Sequence, residues 1–524
     1  MASQLLKTKS PDLLIRESED PARQMKRTLS AFDLTALGIG AIIGAGIFSL
    51  VGTASAGETF TSKIKTPLMN FIVAWLSGAD VQLGRPGAGP ALVFSLVVAA
   101  IACAFAALCY AELASMIPVS GSAYTYSYAT LGEIFAWIIG WDLILEYAVG
   151  NMAVAVSWSG YFVKLLYSFG IKLPLWLVSD HATAANMIAE KTAENAEKLQ
   201  HYSSTLLPVI GGHEIAVNLP ALLIVLLLTV LLVYGIRESA RANTIAVVVK
   251  TAILIFFVAF GAFYVNPTNW QPFNPNGVTG IMTGSAIIFF AFIGFDAVST
   301  TAEETRNPQR DLPIGMIASL VICTIVYVLV AGVMTGLKKY TSFAGDAAPI
   351  ATAIAVINQP WLQAVISAGA LAGSTSVLLV FQLGQPRIFM AMARDGLLPQ
   401  YFSRIHPSFR TPHITTIWTG VIVGAVAMVT DIGSLADLTN IGTLFAFVLV
   451  CLGVIVLRRT APERHRPFRA PLVPLFPIIG ALLCLGLMLS LPVETWRRFV
   501  IWLAIGLLIY FFYGVRNSKL RAAN

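Results

Sequence analysis

The stretch Gly38–Phe48 reads GIGAIIGAGIF, with glycine at four of its eleven positions. It heads an apolar run of membrane length, and each glycine inside a helix costs about 1 kcal/mol relative to alanine. A helix interrupted here would expose amide N–H groups near Gly44–Gly46. The partial positive charge at the start of the second half-helix suits a carboxylate. The stretch FFAFIGFDAVST (Phe289–Thr300) carries Gly294 and Asp296 inside another apolar run. Unwound backbone near Phe290–Gly294 would offer carbonyl oxygens, which suit an ammonium group. The two interruptions together would hold a zwitterion of amino-acid size largely with backbone atoms. Taken alone, Gly40 and Gly44 also fit the small-xxx-small spacing that lets helices pack closely.

Ionisable side chains within apolar runs are functional candidates by default. Lys250, in VVVKTAIL, is the sharpest. Burial disfavours its charged form, so it could load and release a proton; the other reading is a fixed cation that braces the first helix. Glu146 follows Asp142 by four residues and shares its helical face. Asp142 reads as structural and Asp296 as a cap for the second half-helix. Glu112 and Glu133 lie near helix ends and read as solvated or gate-associated.

Other chemistries find no support in the residue types. The five cysteines form no CxxC pair, and the six histidines fall in predicted loops. Neither a metal site nor a catalytic arrangement emerges. GxGxxxG at Gly38–Gly44 misses the dinucleotide fingerprint by one residue, and no Walker A motif occurs. The expectation is a protein without cofactor that is not an enzyme.

The elements that must position these groups follow from composition. Of 524 residues, 57% are hydrophobic and 12% charged, against about 45–50% and 25% for soluble domains. Apolar runs of spanning length recur, so the chain reads as an all-α integral membrane protein. Twelve helices are expected, at 33–55, 91–116, 132–167, 219–236, 242–265, 279–302, 312–336, 361–390, 412–430, 434–457, 471–491 and 496–515. Lys and Arg favour the side of the two termini by about two to one, which predicts cytoplasmic tails at 1–30 and 516–524. A basic inner face against anionic lipid accounts for the net charge of +7 without nucleic acid. Met1–Ser30 lacks the apolar core of a cleaved signal peptide. Two long outer loops remain: 57–90, with the short apolar piece MNFIVAWL, and 170–218, with a surface helix expected at Ala182–Gln200.

Interrupted helices at matching positions of two halves point to a transporter site. The halves would be 31–265 (helices 1–5) and 279–457 (helices 6–10). Five is odd, so the second half must run inverted. Helices 11 and 12 (471–515) fall outside the repeat.

These stretches, with YAELASMIPVSGSAYTYSYATLGE (Tyr110–Glu133), FIGFDAVSTTAEETRNPQRDLP (Phe292–Pro313) and GQPRIFMAMARDGLLP (Gly384–Pro399), resemble the amino acid–polyamine–organocation (APC) superfamily. GWDLILEYAVGN (Gly140–Asn151) narrows the resemblance to the bacterial branch of the cationic amino acid transporter (CAT) family. It covers most of residues 30–457, although the loop 57–90 is longer than in the family's shorter members.

The resemblance implies a LeuT-like five-plus-five inverted repeat with discontinuous helices 1 and 6, working by alternating access in a bacterial inner membrane. It places the substrate carboxylate at Ile43, Gly44, Ala45 and Gly46. The ammonium falls at the carbonyls of Phe290, Ala291 and Ile293, with Phe292 and Gly294 in the same segment. Ala45 stands where many superfamily members have Ser or Thr, so the backbone must suffice. Lys250 falls where sodium-coupled relatives hold their ion between helices 1, 5 and 8, and Glu146 near the substrate, where it could help proton transfer or attract a cationic group; a helix-bracing hydrogen bond is its other reading. Phe381 on helix 8 would shorten the side-chain pocket, which favours small or medium neutral L-amino acids over arginine or lysine. The expected activity is proton-coupled amino-acid uptake. A facilitative or exchange carrier for cationic amino acids is the alternative, and a non-transporting sensor a remote one.

Overall fold

The computed structural model describes residues 6–18, 27–58, 63–78, 80–119, 122–189, 196, 198–234, 240–406 and 411–522. Arg23, Lys26, Lys191, Arg237 and Arg410, counted in the charge balance, and the middle of Ala182–Gln200 lie outside them.

Each of the twelve expected positions carries a helix. We label the main ones α1 (Ala31–Ile42), α2 (Val51–Ala56), α3 (Leu92–Met116), α4 (Ser122–Thr130), α5 (Glu133–Ser168), α6 (Leu219–Tyr234) and α7 (Ala240–Gly261). There follow α8 (Gly277–Ile288), α9 (Pro308–Leu337), α10 (Pro360–Arg394), α11 (His413–Ala427), α12 (Ile432–Thr460), α13 (Leu475–Leu489) and α14 (Val493–Ile509). Among the described residues, eight helices are long and apolar enough to cross a membrane, or nine when the bent pair α1–α2 is taken as one span. α6, α11 and α13 are apolar but shorter, at 10–17 residues.

α1 begins at a capping box. Ser30 Oγ accepts from the Asp33 N–H at 3.4 Å, and the Asp33 carboxylate accepts from the Ser30 N–H at 2.9 Å. α5 is the axis of the bundle and packs along α10 and α12, while α9 packs against α1 and α3. α14 is fastened to α5 by stacked indoles. Trp141 and Trp502 have centroids 4.4 Å apart, and Trp137 donates to the Gly506 carbonyl at 2.9 Å.

Both chain termini fasten to one end of the bundle, and two acids read as solvated or gate-associated are buried there. Glu133 is fully buried and accepts from Tyr510 at 3.0 Å, Tyr128 at 3.2 Å and Ser518. Glu112 is 1% exposed, paired with Arg458 at 2.7 Å and Arg466 at 3.3 Å, and accepts the Ala470 N–H at 2.8 Å. Apart from Tyr128, their partners lie hundreds of residues away in sequence, so solvation was the wrong reading for both.

At the opposite end, the loop 57–90 folds back on itself. Gly57–Glu58 pairs antiparallel with Arg85–Pro86, and MNFIVAWL lies in a helix, Leu68–Ser77, too short to span. In the second long loop, His181–Ala189 is helical.

Candidate substrate-binding site

α1 stops at Ile42, and Ile43 is extended, with φ −72° and ψ 99°. The chain resumes as a π-helical turn at Gly46–Leu50 that leads into α2, bent 41° from α1. The first N–H groups of the resumed helix have no intrahelical acceptor, and they begin at Gly46. α8 likewise gives way to a 3₁₀ turn, Phe289–Phe292, and Gly294 takes φ +117°. The second half is a 3₁₀ helix, Asp296–Glu304, not an α-helix. Phe295 rather than Asp296 is its cap, and no side-chain cap bond is made.

The two breaks meet backbone to backbone. A Cβ on Gly46 would overlap the Ala291 backbone, and one on Gly294 would lie 2.9 Å from the Ala41 carbonyl. Gly44 is looser: its Cβ would meet the Val377 side chain at 3.2 Å. Ile43, Gly44, Ala45, Gly46, Phe290, Ala291, Phe292, Ile293 and Gly294 are therefore brought together, and all are buried. A substrate can reach them only if the surrounding helices move.

Of the three carbonyls expected to face an ammonium, two have neighbours. Phe290 O accepts from the Ile293 N–H at 3.4 Å, and Ala291 O lies 3.1 Å from the Tyr327 hydroxyl. The same hydroxyl lies 2.9 Å from Ile42 O, so one side chain on α9 bridges both breaks. Ile293 O has no such neighbour among the described residues.

Lys250 on α7 is fully buried and donates to Gly40 O and, at 2.9 Å, to Ile43 O. These are the last carbonyls of α1, where a cation complements the helix dipole. Gly373 on α10 makes room for it, since a Cβ there would lie 3.1 Å from Lys250 Cβ. The lysine thus sits between the first break, α7 and α10.

Glu146 is 2% exposed, with Thr443 facing its carboxyl and Asp296 and Asp142 the nearest acids. No Lys or Arg pairs with it among the described residues. Asp142 is fully buried, neither oxygen has a hydrogen-bond partner among the described residues, and its carboxyl packs against Gly442 of α12. Phe381 meets Tyr147 edge-on at 5.5 Å, and a Cβ on Gly150 would touch its ring at 3.4 Å.

Sequence reasoning passed over three braces. Besides Tyr327, Tyr161 donates to Phe48 O, and Asn440 donates to Ala286 O at 2.8 Å, at the end of α8. Each reaches a backbone carbonyl at or beside a break. No local signal marks them, since tyrosine is common in membrane runs and Asn440 stands among other polar residues of α12.

The loop after α9 covers the α2 side of the site. Ala347 packs on Gly160 and accepts from Ser49, whose hydroxyl also lies 2.5 Å from that of Ser157. Burial alone would raise the Asp346 carboxyl. Lys164, Lys198, the Thr352 hydroxyl and the Ala348 N–H outweigh it and hold the group below its usual 3.8.

Broken helices joined through backbone, with one cation on the free carbonyls, are the architecture of a carrier site rather than of an enzyme. The comparisons with known proteins agree. The family model described as amino acid permease matches residues 29–512. A branched-chain amino acid permease of Bacillus subtilis, BcaP, is 46% identical over 95% of each chain. A methylthioribose transporter of the same organism is 41% identical over 99% of each chain. The vacuolar cationic amino acid transporter 4 of Arabidopsis thaliana is 37% identical over 88% of this chain and 68% of its own. The chain is a multi-pass membrane transporter, not an enzyme, and belongs to the amino acid permease family of the APC superfamily.

Proposed function

We propose that this protein is a secondary carrier that takes up L-amino acids by alternating access, with substrate transport linked to a proton. In this reading the chain crosses a bacterial inner membrane twelve times, with both termini cytoplasmic. Residues 31–265 and 279–457 are the two inverted repeats. The observation that carries it is the junction of the two breaks, where Gly46 meets Ala291 and Gly294 meets Ala41. That close approach of the two interrupted backbones supports a site in which amide donors of one helix and carbonyls of the other hold a zwitterion. The substrate carboxylate takes the N–H groups at Gly44–Gly46, and its ammonium takes Ile293 O and displaces Tyr327 from Ala291 O. Lys250 is the proton-linked group, and Glu146 either passes the proton or faces the substrate.

The side-chain pocket is bounded by Phe381, held edge-on by Tyr147. A phenyl ring there favours neutral side chains of small or medium size, and a branched-chain permease is among the similar proteins. The second reading is a facilitative or exchange carrier of cationic amino acids, favoured by relatives named as cationic amino acid transporters. A relative named for methylthioribose at 41% identity makes that compound a necessary third substrate to test.

The experiment is uptake by the purified protein in liposomes, with and without an inward proton gradient. Alanine, leucine, arginine and methylthioribose are offered in parallel. Gradient-stimulated alanine or leucine uptake supports the proposal. Gradient-insensitive arginine uptake replaces it with the second reading. Binding without uptake of any of them would make the protein a sensor.

A further inference from the structure

The first turns of α9 carry a groove that lies apart from the helix breaks. Its volume is about 690 Å³; Arg310, Pro313, Ile314, Ile317 and Val321 form one wall and Phe468 stands opposite. The α9 residues recur three and four positions apart and so form a single stripe on one helix face. From Arg310 to Val321 the stripe runs about 17 Å at 1.5 Å per residue. Ile314 and Val321 are 41% and 52% exposed, so the groove opens on the outer surface of the bundle.

The facing wall is pinned. The Phe468 N–H donates to Ser115 Oγ at 3.3 Å, and the Ala470 N–H donates to Glu112 at 2.8 Å. Glu112 is itself held by Arg458 at 2.7 Å. Arg310 has no carboxylate within ion-pair distance among the described residues. Arg306, four residues earlier, and Arg469, beside Phe468, are exposed.

We propose that this groove binds one anionic phospholipid, with its phosphate on Arg310 and an acyl chain along the α9 stripe. The polarity of the stripe decides the occupant. It is cationic where α9 begins and aliphatic deeper in the span, the same order as a lipid headgroup and its chain. A zwitterionic lipid would cover the aliphatic part but bring no net negative charge to Arg310. Free phosphate would pair with Arg310 and leave the rest uncovered. A pinned aromatic wall keeps the groove open without the helix movements that transport requires, so the site stands whichever substrate is carried.

The test is native mass spectrometry of the full chain, delipidated in an equimolar mixture of phosphatidylglycerol and phosphatidylcholine. One phosphatidylglycerol is expected to remain per chain. Arg310→Gln should lower its retention relative to phosphatidylcholine about fivefold, the worth of one basic contact at a membrane surface. Ala318→Phe narrows the groove while keeping Arg310, and should lower retention of both lipids. Arg498→Gln, an exposed cation away from the groove, should change nothing. Equal retention of the two lipids by the wild type, or an unchanged ratio in Arg310→Gln, overturns the proposal. A polypeptide that copurifies in place of lipid also overturns it.

Discussion

Gly46 approaches Ala291 so closely that a methyl group at position 46 would overlap its α-carbon and nitrogen. Neither of these atoms can move without shifting the second broken helix. Gly294, at φ +117°, makes the reciprocal approach to Ala41. The glycines that weaken the first span do two different things: Gly46 sets the distance between the breaks, and Gly44 leaves the backbone between them uncovered.

Gly46→Ala is therefore expected to cost about 1–3 kcal/mol of stability, as overpacking does in a filled interior, and to abolish uptake. Gly44→Ala meets only the Val377 side chain, at 3.2 Å, which can yield by a few tenths of an ångström. It should stay close to wild type in thermal unfolding while losing substrate affinity. Thermal unfolding and binding on both variants decide this. Equal destabilisation would show that the contact with Ala291 is not what distinguishes them.

Lys250→Met removes the donor to Gly40 O and Ile43 O. Leaving a buried acceptor without a partner costs about 1–3 kcal/mol, so some loss of stability is expected in any case. A proton-linked role adds a sharper expectation. Gradient-driven uptake should vanish while exchange of internal for external substrate continues. If exchange falls in step with uptake, the lysine acts as a brace for the first break and the coupling group lies elsewhere.

The helix positions and both breaks were legible because apolar length and glycine in apolar sequence are local signals. Lys250 stood out for the same reason: a lysine among valines has no soluble explanation. Tyr327 did not, since VICTIVYVLV is an ordinary membrane run in which tyrosine is cheap. Only the fold brings its hydroxyl to Ile42 and Ala291. The solvated reading of Glu112 and Glu133 failed because a helix-end acid looks solvated until its partners are known, and those lie at Arg458 and Arg466 and at Tyr510 and Ser518. The 3₁₀ form of Asp296–Glu304 was hidden as well, because helical periodicity over nine residues does not separate the two helix types.

Asp346 predicts an acid-sensitive lid. Its carboxyl is held below the usual value of 3.8 chiefly by Lys164 and Lys198, against the opposing effect of burial. A depressed folded-state value means that the stabilisation is fully present above 3.8 and is lost as pH falls through the lower folded value. Wild type should lose stability below about pH 4 more steeply than Asp346→Asn, which cannot titrate. Unfolding midpoints from pH 6 down to pH 3 would show it. Parallel curves for the two proteins would remove Asp346 from the account.

Arg85 and Asp437 make the most buried ion pair at the end of the bundle away from the termini. Two bonds of 2.7 and 2.8 Å join them, Glu58 adds a third at 3.0 Å, and Arg85 is 3% exposed. Glu58 lies two residues beyond α2, and Asp437 lies in the first turns of α12. The pair therefore ties the end of the first broken span to α12 through the loop 57–90. Removing one partner strands a buried charge, so Arg85→Met alone should cost about 3–5 kcal/mol. Replacing both, as Arg85→Met with Asp437→Leu, should recover much of that loss, because the desolvation penalty goes with the charges. Any opening of this end that separates α2 from α12 must break the pair. The double variant should then keep its stability and still show greater labelling of a cysteine placed at Ser55, which is buried beneath the loop. Unchanged labelling in a stable double variant would mean that the pair secures the loop without holding the site closed.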